Sequence, residues 1–283
     1  MKKKTFPPRL HAIFATNSDE AIVIRRGLSK YVCTIGWDRK KDEFKVGQWL
    51  HGRIYERRSD LSPDGKYFIY FAMNGKWDSE MQGSWSAISF YPYLKAFQIW
   101  AKGDCWFGGG IFVAKDIYWL NDDPPVFRHQ LKQQRSLLKR TDTFPWHESY
   151  GGECQGVYFI RLQRTGWNLV DKIESGNLEV TTIFEKELKR GWVLRKFARA
   201  GLGTSKSKAC YYDEHELENH EKGIRLNYKD WEWADYDKVQ RRICCATEGK
   251  LYYAKLNSHE LTEVKELYDF TDMKFQAIDA PYF

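Results

Sequence analysis

The sequence predicts an all-β fold built from small antiparallel sheets. Three observations predict it. Short β-rich runs recur from the N-terminus with turn signals between them. Of the 283 residues, 16% are aromatic and 42% hydrophobic, which is enough to fill a sizeable core. A Ser-Pro-Asp-Gly turn leads directly into another β-rich run. The length suits one large all-β domain or two average ones. With 21 Gly and 8 Pro the chain is neither collagen-like nor low-complexity, and its apolar content excludes global disorder.

The elements follow in order. His11–Ala15 is a short apolar run, the turn Asn17–Glu20 follows, and Ala21–Ile24 is a second run. Gly27–Ser29 turns again and Tyr31–Trp37 is a third. Asp38–Asp42 makes a polar hairpin tip and Glu43–Trp49 returns. Four strands in about forty residues is the spacing of an antiparallel meander, and the length of one four-stranded propeller blade. Trp85–Phe90, Ala96–Trp100 and Ile111–Leu120 read as further strands.

The most informative string is Asp60-Leu61-Ser62-Pro63-Asp64-Gly65-Lys66, followed by Tyr67–Phe71. Pro63 presets φ for the first central position, Asp64 tolerates the second, and Gly65 takes the left-handed one. This string resembles the turn-plus-strand element of WD40-like and TolB-like β-propeller repeats. The resemblance implies a β-propeller-like or incomplete propeller domain, and protein–protein contact more than catalysis. Near the C-terminus, Trp233–Lys238, Arg242–Ala246 and Leu251–Leu256, with the tight turn Thr247–Lys250, repeat the strand-turn-strand order without the Pro-Asp-Gly core. Tyr158–Leu162 and Trp192–Phe197 are read as strands of further blades.

Residues 121–156 differ in character. Asn121-Asp122-Asp123-Pro124-Pro125 breaks the strand pattern and reads as a turn. Residues 128–140 carry Arg128, Lys132, Arg135, Lys139 and Arg140 and no acid, with Leu131, Leu137 and Leu138 on a helical face. A short helical or loop insertion is expected over 121–156. The chain then reads as one β-rich domain, 1–283, with a subdivision into 1–120 and 157–283 around that insertion. Residues 257–283 hold six acids against Lys265 and Lys274, which leaves the rest of the chain at about +11. A closing strand is expected from Asp269–Ile278.

The net charge of +7 and the pI near 8.9 admit an acidic partner, protein or nucleic acid. Six cysteines without a CxxC pair are too sparse for a disulfide scaffold, so they are read as mostly buried thiols of a cytoplasmic protein. Met1-Lys2-Lys3-Lys4 is not followed by the apolar run of a signal peptide, and no stretch approaches the length of a membrane-spanning helix. Walker A, GxGxxG, GxSxG and EF-hand patterns do not occur. His215 and His220 stand five apart, about 500° around a helix, so they cannot share a face as zinc ligands. Residues 213–222 are expected to be a solvated loop or short helix. Gly108-Gly109-Gly110 admits an anion nest, but without a nucleophile motif it reads as a strand start where another backbone approaches closely. Lys186, Lys189, Arg190, Arg195, Lys196 and Arg199 alternate with Trp192 and Phe197. That pattern suits base stacking on phosphate-bound nucleic acid, or, as the favoured reading, a strand with apolar residues inward and cations outward.

The function expected from these features is a non-enzymatic protein-binding module of bacterial cytoplasmic type, of which the cognate inhibitor of a toxin is one concrete form. No cofactor, metal or membrane is called for. The partner is another protein, acidic at its contact surface, and nucleic acid ranks behind it. Arg128, Lys132, Arg135, Lys139, Arg140 and Trp146 are the expected partner-binding residues. The alternatives are a hydrolase on a propeller-like scaffold, with convergent Asp, Glu or His in one pocket, and a nucleic-acid binder using the basic segments.

Overall fold

The structure is a computed structural model. It describes residues 6–27, 30–122, 129–133, 137–151, 153–175, 179–201, 210–257 and 261–282, with the backbone alone at 129–133. Strands make up 53% of the described residues, and one α-helix occurs among them, so the fold is all-β and propeller-like. The described residues form five small sheets, mostly meanders of the kind a propeller blade uses. By compactness the chain forms two units, Met1–Arg161 with Met273–Phe283, and Leu162–Asp272.

In the first unit, β1 (Arg9–Phe14), β2 (Glu20–Arg26), β3 (Tyr31–Asp38) and β4 (Glu43–His51) form an antiparallel meander over the four expected runs. Next along the chain come β5 (Arg53–Ile54), β6 (Asp60–Leu61), β7 (Tyr67–Met73), β8 (Ser84–Phe90) and β9 (Ala96–Ala101). They are followed by β10 (Gly110–Ala114), β11 (Ile117–Leu120), β12 (His129–Gln133) and β13 (Lys139–Thr141). The second sheet runs β12-β9-β8-β7-β5, with β6 also on β7, and the third runs β10-β11-β13. β11 and β13 pair in parallel.

The Ser62–Gly65 turn forms as its chemistry dictates. Gly65 N–H donates to Ser62 O at 2.9 Å with Gly65 at φ +74°. Ser62 Oγ donates to Asp64 Oδ1 (2.7 Å) and accepts from the N–H groups of Lys66 and Tyr67. β7 then enters with a period of two. Phe68, Tyr70 and Ala72 pack with Ile13, Ile22 and Val32 of the first sheet. Ile69 packs with Phe112, Tyr118 and Leu120 of the third. The second sheet is therefore buried on both faces, which explains why its strands read as nearly continuous apolar runs.

Three expectations are corrected in this unit. Ile111–Leu120 is a hairpin, β10 and β11 turning at Lys115–Asp116, because two polar residues interrupt the apolar run. The helical face expected over 128–140 is not there, since 129–133 and 139–141 are strands. Leu138 belongs to the core while Leu137 is exposed, the alternation of an extended chain. Tyr158–Leu162 is not a strand but the middle of α1 (Gln155–Arg164). Val157, Tyr158, Phe159, Ile160 and Leu162 are all buried, and a helix buried on most sides presents the same continuous apolar run as a buried strand.

In the second unit, β14 (Asn168–Ser175), β15 (Glu179–Glu187), β16 (Trp192–Gly201), β17 (Tyr211–Asn219) and β18 (Ile224–Tyr228) form a five-stranded sheet. β19 (Trp233–Asp237), β20 (Arg242–Thr247), β21 (Lys250–Ala254) and β22 (Lys265–Asp269) form a four-stranded one. The closing strand lies at Lys265–Asp269, ahead of the expected 269–278. The chain after it returns to the first unit. There Phe275 meets the rings of Tyr31 and Trp49, Gln48 Nε2 donates to Ile278 O, and Tyr282 OH donates to Lys95 O.

Candidate functional site

Two loops at one end of the second sheet carry the most exposed tryptophans of the described residues. The β7–β8 loop closes on itself, since Asn74 and Gly75 N–H both donate to Gly83 O and Lys76 N–H donates to Asn74 Oδ1. The Trp77 ring lies over Gly83, where a Cβ would stand 2.3 Å from a ring carbon, so glycine is what lets the indole lie flat. In the β9–β10 loop, Trp106 N–H donates to Asp104 Oδ1 at 2.9 Å. Ser84 Oγ, at the base of the β7–β8 loop, donates to Asp104 O. The Gln82 side chain covers Gly103, so the two loops lie side by side. Trp77 is 49% exposed and Trp106 60%.

Arg58 holds this end in place. Its side chain is 2% exposed, between the rings of Tyr55 and Phe71. Nη1 donates to the carbonyls of Cys105 (2.8 Å) and Phe107 either side of Trp106, Nε to Cys154 Sγ (3.2 Å), and Nη2 pairs with Glu153. Asn121 Nδ2 ties the same segments, donating to Gly108 O and Glu153 O. A buried guanidinium has five donors to satisfy, and here loop carbonyls and a carboxylate satisfy them.

The glycine run is a close backbone approach, as expected, and the N–H groups of Gly108 and Gly109 donate to Asn121 O and Ser86 Oγ. A Cβ at Gly109 would stand 1.7 Å from Arg58 O, and one at Gly110 2.3 Å from Trp119 O. Phe107, Gly108 and Gly109 all have positive φ, the left-handed conformation that turns the chain out of the loop and into β10.

Of the partner-binding residues expected from sequence, Arg128 and Arg135 lie outside the described residues. Lys132 lies on β12, the outer strand of the sheet that carries both loops, where His129 pairs with Ala101 just before the Trp106 loop. Lys139 and Arg140 are exposed on β13, with Arg140 paired to Asp142 at 2.7 Å. Trp146 is half-buried, edge-on to Trp119 and Phe144. Trp119 is opposite Thr141 in register, so Trp146 packs at the end of β13.

The second unit holds a cluster that sequence reading missed. His215 is no solvated loop residue. It is 1% exposed on β17, opposite Lys196 of β16 in register. Lys196 Nζ lies 2.9 Å from His215 Nε2 and 3.7 Å from Asp213, and 4.9 Å from the Trp167 ring. Lys186 pairs with Asp235 and also faces Trp167. Burial, and then the Lys196 ammonium, push the His215 imidazole down to about 3, so it is neutral and its Nδ1–H donates to Trp231 O at 2.9 Å. Burial also lowers Lys186, against the pull of Asp235. The signal was in the sequence. Lys196 falls on the same period-two face as Trp192, Leu194 and Ala198, so cations were not all outward. Lys186, Lys196, Asp213 and His215 are all buried, so the cluster is a polar core.

The opposite face of that sheet is where cations do point outward, and carboxylates meet them. Arg195 bonds Glu185, Glu216 and Glu218, and Arg199 bonds Glu214. Among the described residues no group of three His, Cys, Asp or Glu is placed to hold a metal. No described helix is long and apolar enough to cross a membrane.

No family model matches the sequence, and no curated protein matches it significantly. Among solved structures, a point mutant of the Synechocystis apocarotenoid oxygenase aligns at 8% identity and a TM-score of 0.19. The alignment covers 96% of this chain and 64% of that one. A likeness of that size carries no argument about activity.

Proposed function

We propose that this protein is a binding module that recognises another protein through the loop surface carrying Trp77 and Trp106. The exposure of these two indoles on adjacent, internally braced loops carries the reading. Tryptophan is the side chain most enriched among interface anchors, and a preformed loop loses little entropy on binding. Sealing each ring under a partner contributes about 2 kcal/mol at ~25 cal/mol per Å² of apolar surface. Lys132, on the β12 strand that pairs with β9 ahead of the Trp106 loop, supplies positive charge on the sheet that carries both loops, which suits an acidic partner rim and speeds encounter. The likeness of the Ser62–Lys66 turn to WD40-like and TolB-like repeats supports the same class of role. A cognate inhibitor of a toxin remains one concrete form of it.

Nucleic acid is the weaker reading. In residues 186–199, Lys186 and Lys196 are buried, and Arg195 and Arg199 are engaged by carboxylates, so that segment offers few cations for phosphates.

The test is capture of the tagged full chain from its host, with stoichiometry by mass spectrometry, alongside the Trp77→Ala/Trp106→Ala variant. The expected result is one stoichiometric protein partner, lost in the variant while the unfolding midpoint is unchanged. Recovery of the chain alone, recovery with nuclease-sensitive nucleic acid, or full retention of the partner by the variant would overturn the reading.

A further inference from the structure

β14 is the outer strand of the five-stranded sheet, hydrogen-bonded to β15 on one side only among the described residues. All eight of its residues are exposed, including Leu169, Val170 and Ile173 at 37%, 47% and 49%. A bulge at Val170 interrupts the ladder, and from Asp171 to Ser175 the register with β15 is regular. That stretch presents an ordered row of backbone donors and acceptors to solvent. Such an edge invites another strand unless charges guard it. Here the charges are Asp171, Lys172 and Glu174, of which Lys172 and Glu174 share one face and bond each other at 2.7 Å.

We propose that β14 is a self-association edge, on which a second copy of this chain pairs antiparallel with Ile173 facing the second copy's Ile173. The register follows from symmetry. When two identical strands pair antiparallel about a two-fold axis, one residue faces its own copy and the residues flanking it exchange partners. Centring on Asp171, Lys172 or Glu174 sets like charges face to face, which is destabilising. Centring on Ile173 is the one choice from Asp171 to Glu174 that avoids this. It sets isoleucine on isoleucine, Lys172 opposite Glu174 twice, and Asp171 opposite Ser175 twice. The charges that would repel an apolar strand thus complement a second copy. A contact of this length is small beside a standard interface, so association is weak and concentration-dependent.

The experiment is sedimentation equilibrium of the full chain up to several hundred micromolar. The wild type is expected to rise from 33.6 kDa toward twice that mass. Lys172→Glu alone and Glu174→Lys alone are each expected to stay monomeric, because each sets two like-charge pairs across the axis. An equimolar mixture of the two single variants, in which every cross-copy pair is again opposite in sign, is expected to dimerise. The double variant K172E/E174K is expected to dimerise on its own. Both side chains are solvent-exposed, and far-UV circular dichroism checks that each variant folds. A monomeric wild type, single variants that dimerise like it, or a mixture that stays monomeric would each overturn the proposal.

Discussion

Lys196 and His215 show how much one pair of residues sets. They are opposite each other in register on β16 and β17, and the lysine donates to the histidine inside a sealed layer. The imidazole titrates near 3 in the folded protein and at about 6.5 in the unfolded chain. The unfolded state therefore binds the extra proton first. The stability contribution is fully present above about pH 6.5 and is lost as pH falls toward 3, at up to ~1.4 kcal/mol per unit. Between pH 7 and pH 5 the wild type should lose about 2 kcal/mol that His215→Gln does not lose. Urea unfolding at the two pH values measures this, and equal losses in the two proteins would show that His215 is not held neutral.

At the scale of the element, the β9–β10 loop is fixed by backbone geometry more than by side-chain bulk. Gly109 combines φ +74° with Arg58 O where a Cβ would be, 1.7 Å away. Gly75, in the neighbouring loop, has almost the same φ, +72°, and nothing within 4 Å. Gly109→Ala should therefore cost roughly 3 kcal/mol or more, because backbone must move, while Gly75→Ala carries only the left-handed penalty of about 1 kcal/mol. Denaturant midpoints of the two variants make the comparison, and similar losses would mean that Arg58 does not brace the loop as described. The elements differ in how legible they were. The first meander and the Ser62–Gly65 turn carry their own signals, alternation and φ-specific residues. The interior of α1 and β12 do not, because a buried helix and a buried strand share one apolar pattern, and a basic run reads alike on a helix or an edge.

For the whole molecule, the chain order has a consequence. Leu162–Asp272 is one continuous segment forming a compact unit, whereas the other unit is assembled from Met1–Arg161 and Met273–Phe283. The continuous unit has its own buried set, including Phe184, Trp192, Leu194, Leu217, Ala234, Cys244, Leu251 and Phe270. A fragment of residues 162–272 should fold alone, with a β-type circular dichroism spectrum and a cooperative thermal transition. The complementary fragment 1–161 should be destabilised, because Phe275, Ile278 and Tyr282 are missing from its surface. A 162–272 fragment without a cooperative transition would contradict the division.

Sequence alone determined the class and much of the strand order, since alternation and turn chemistry act over a few neighbouring residues. It located the pairings β1–β4 and β19–β21 and the reason for the glycines at 108–110. It did not set Trp77 and Trp106 apart from the other tryptophans, because local sequence does not say which indole a sheet will cover. Tertiary structure decided that Trp85, Trp100 and Trp119 are covered or packed while Trp77 and Trp106 are not. It also decided that α1 is a helix, and that the last residues return to the first unit. Each of these depends on what packs against a residue from far along the chain, and burial by a distant element leaves no local trace.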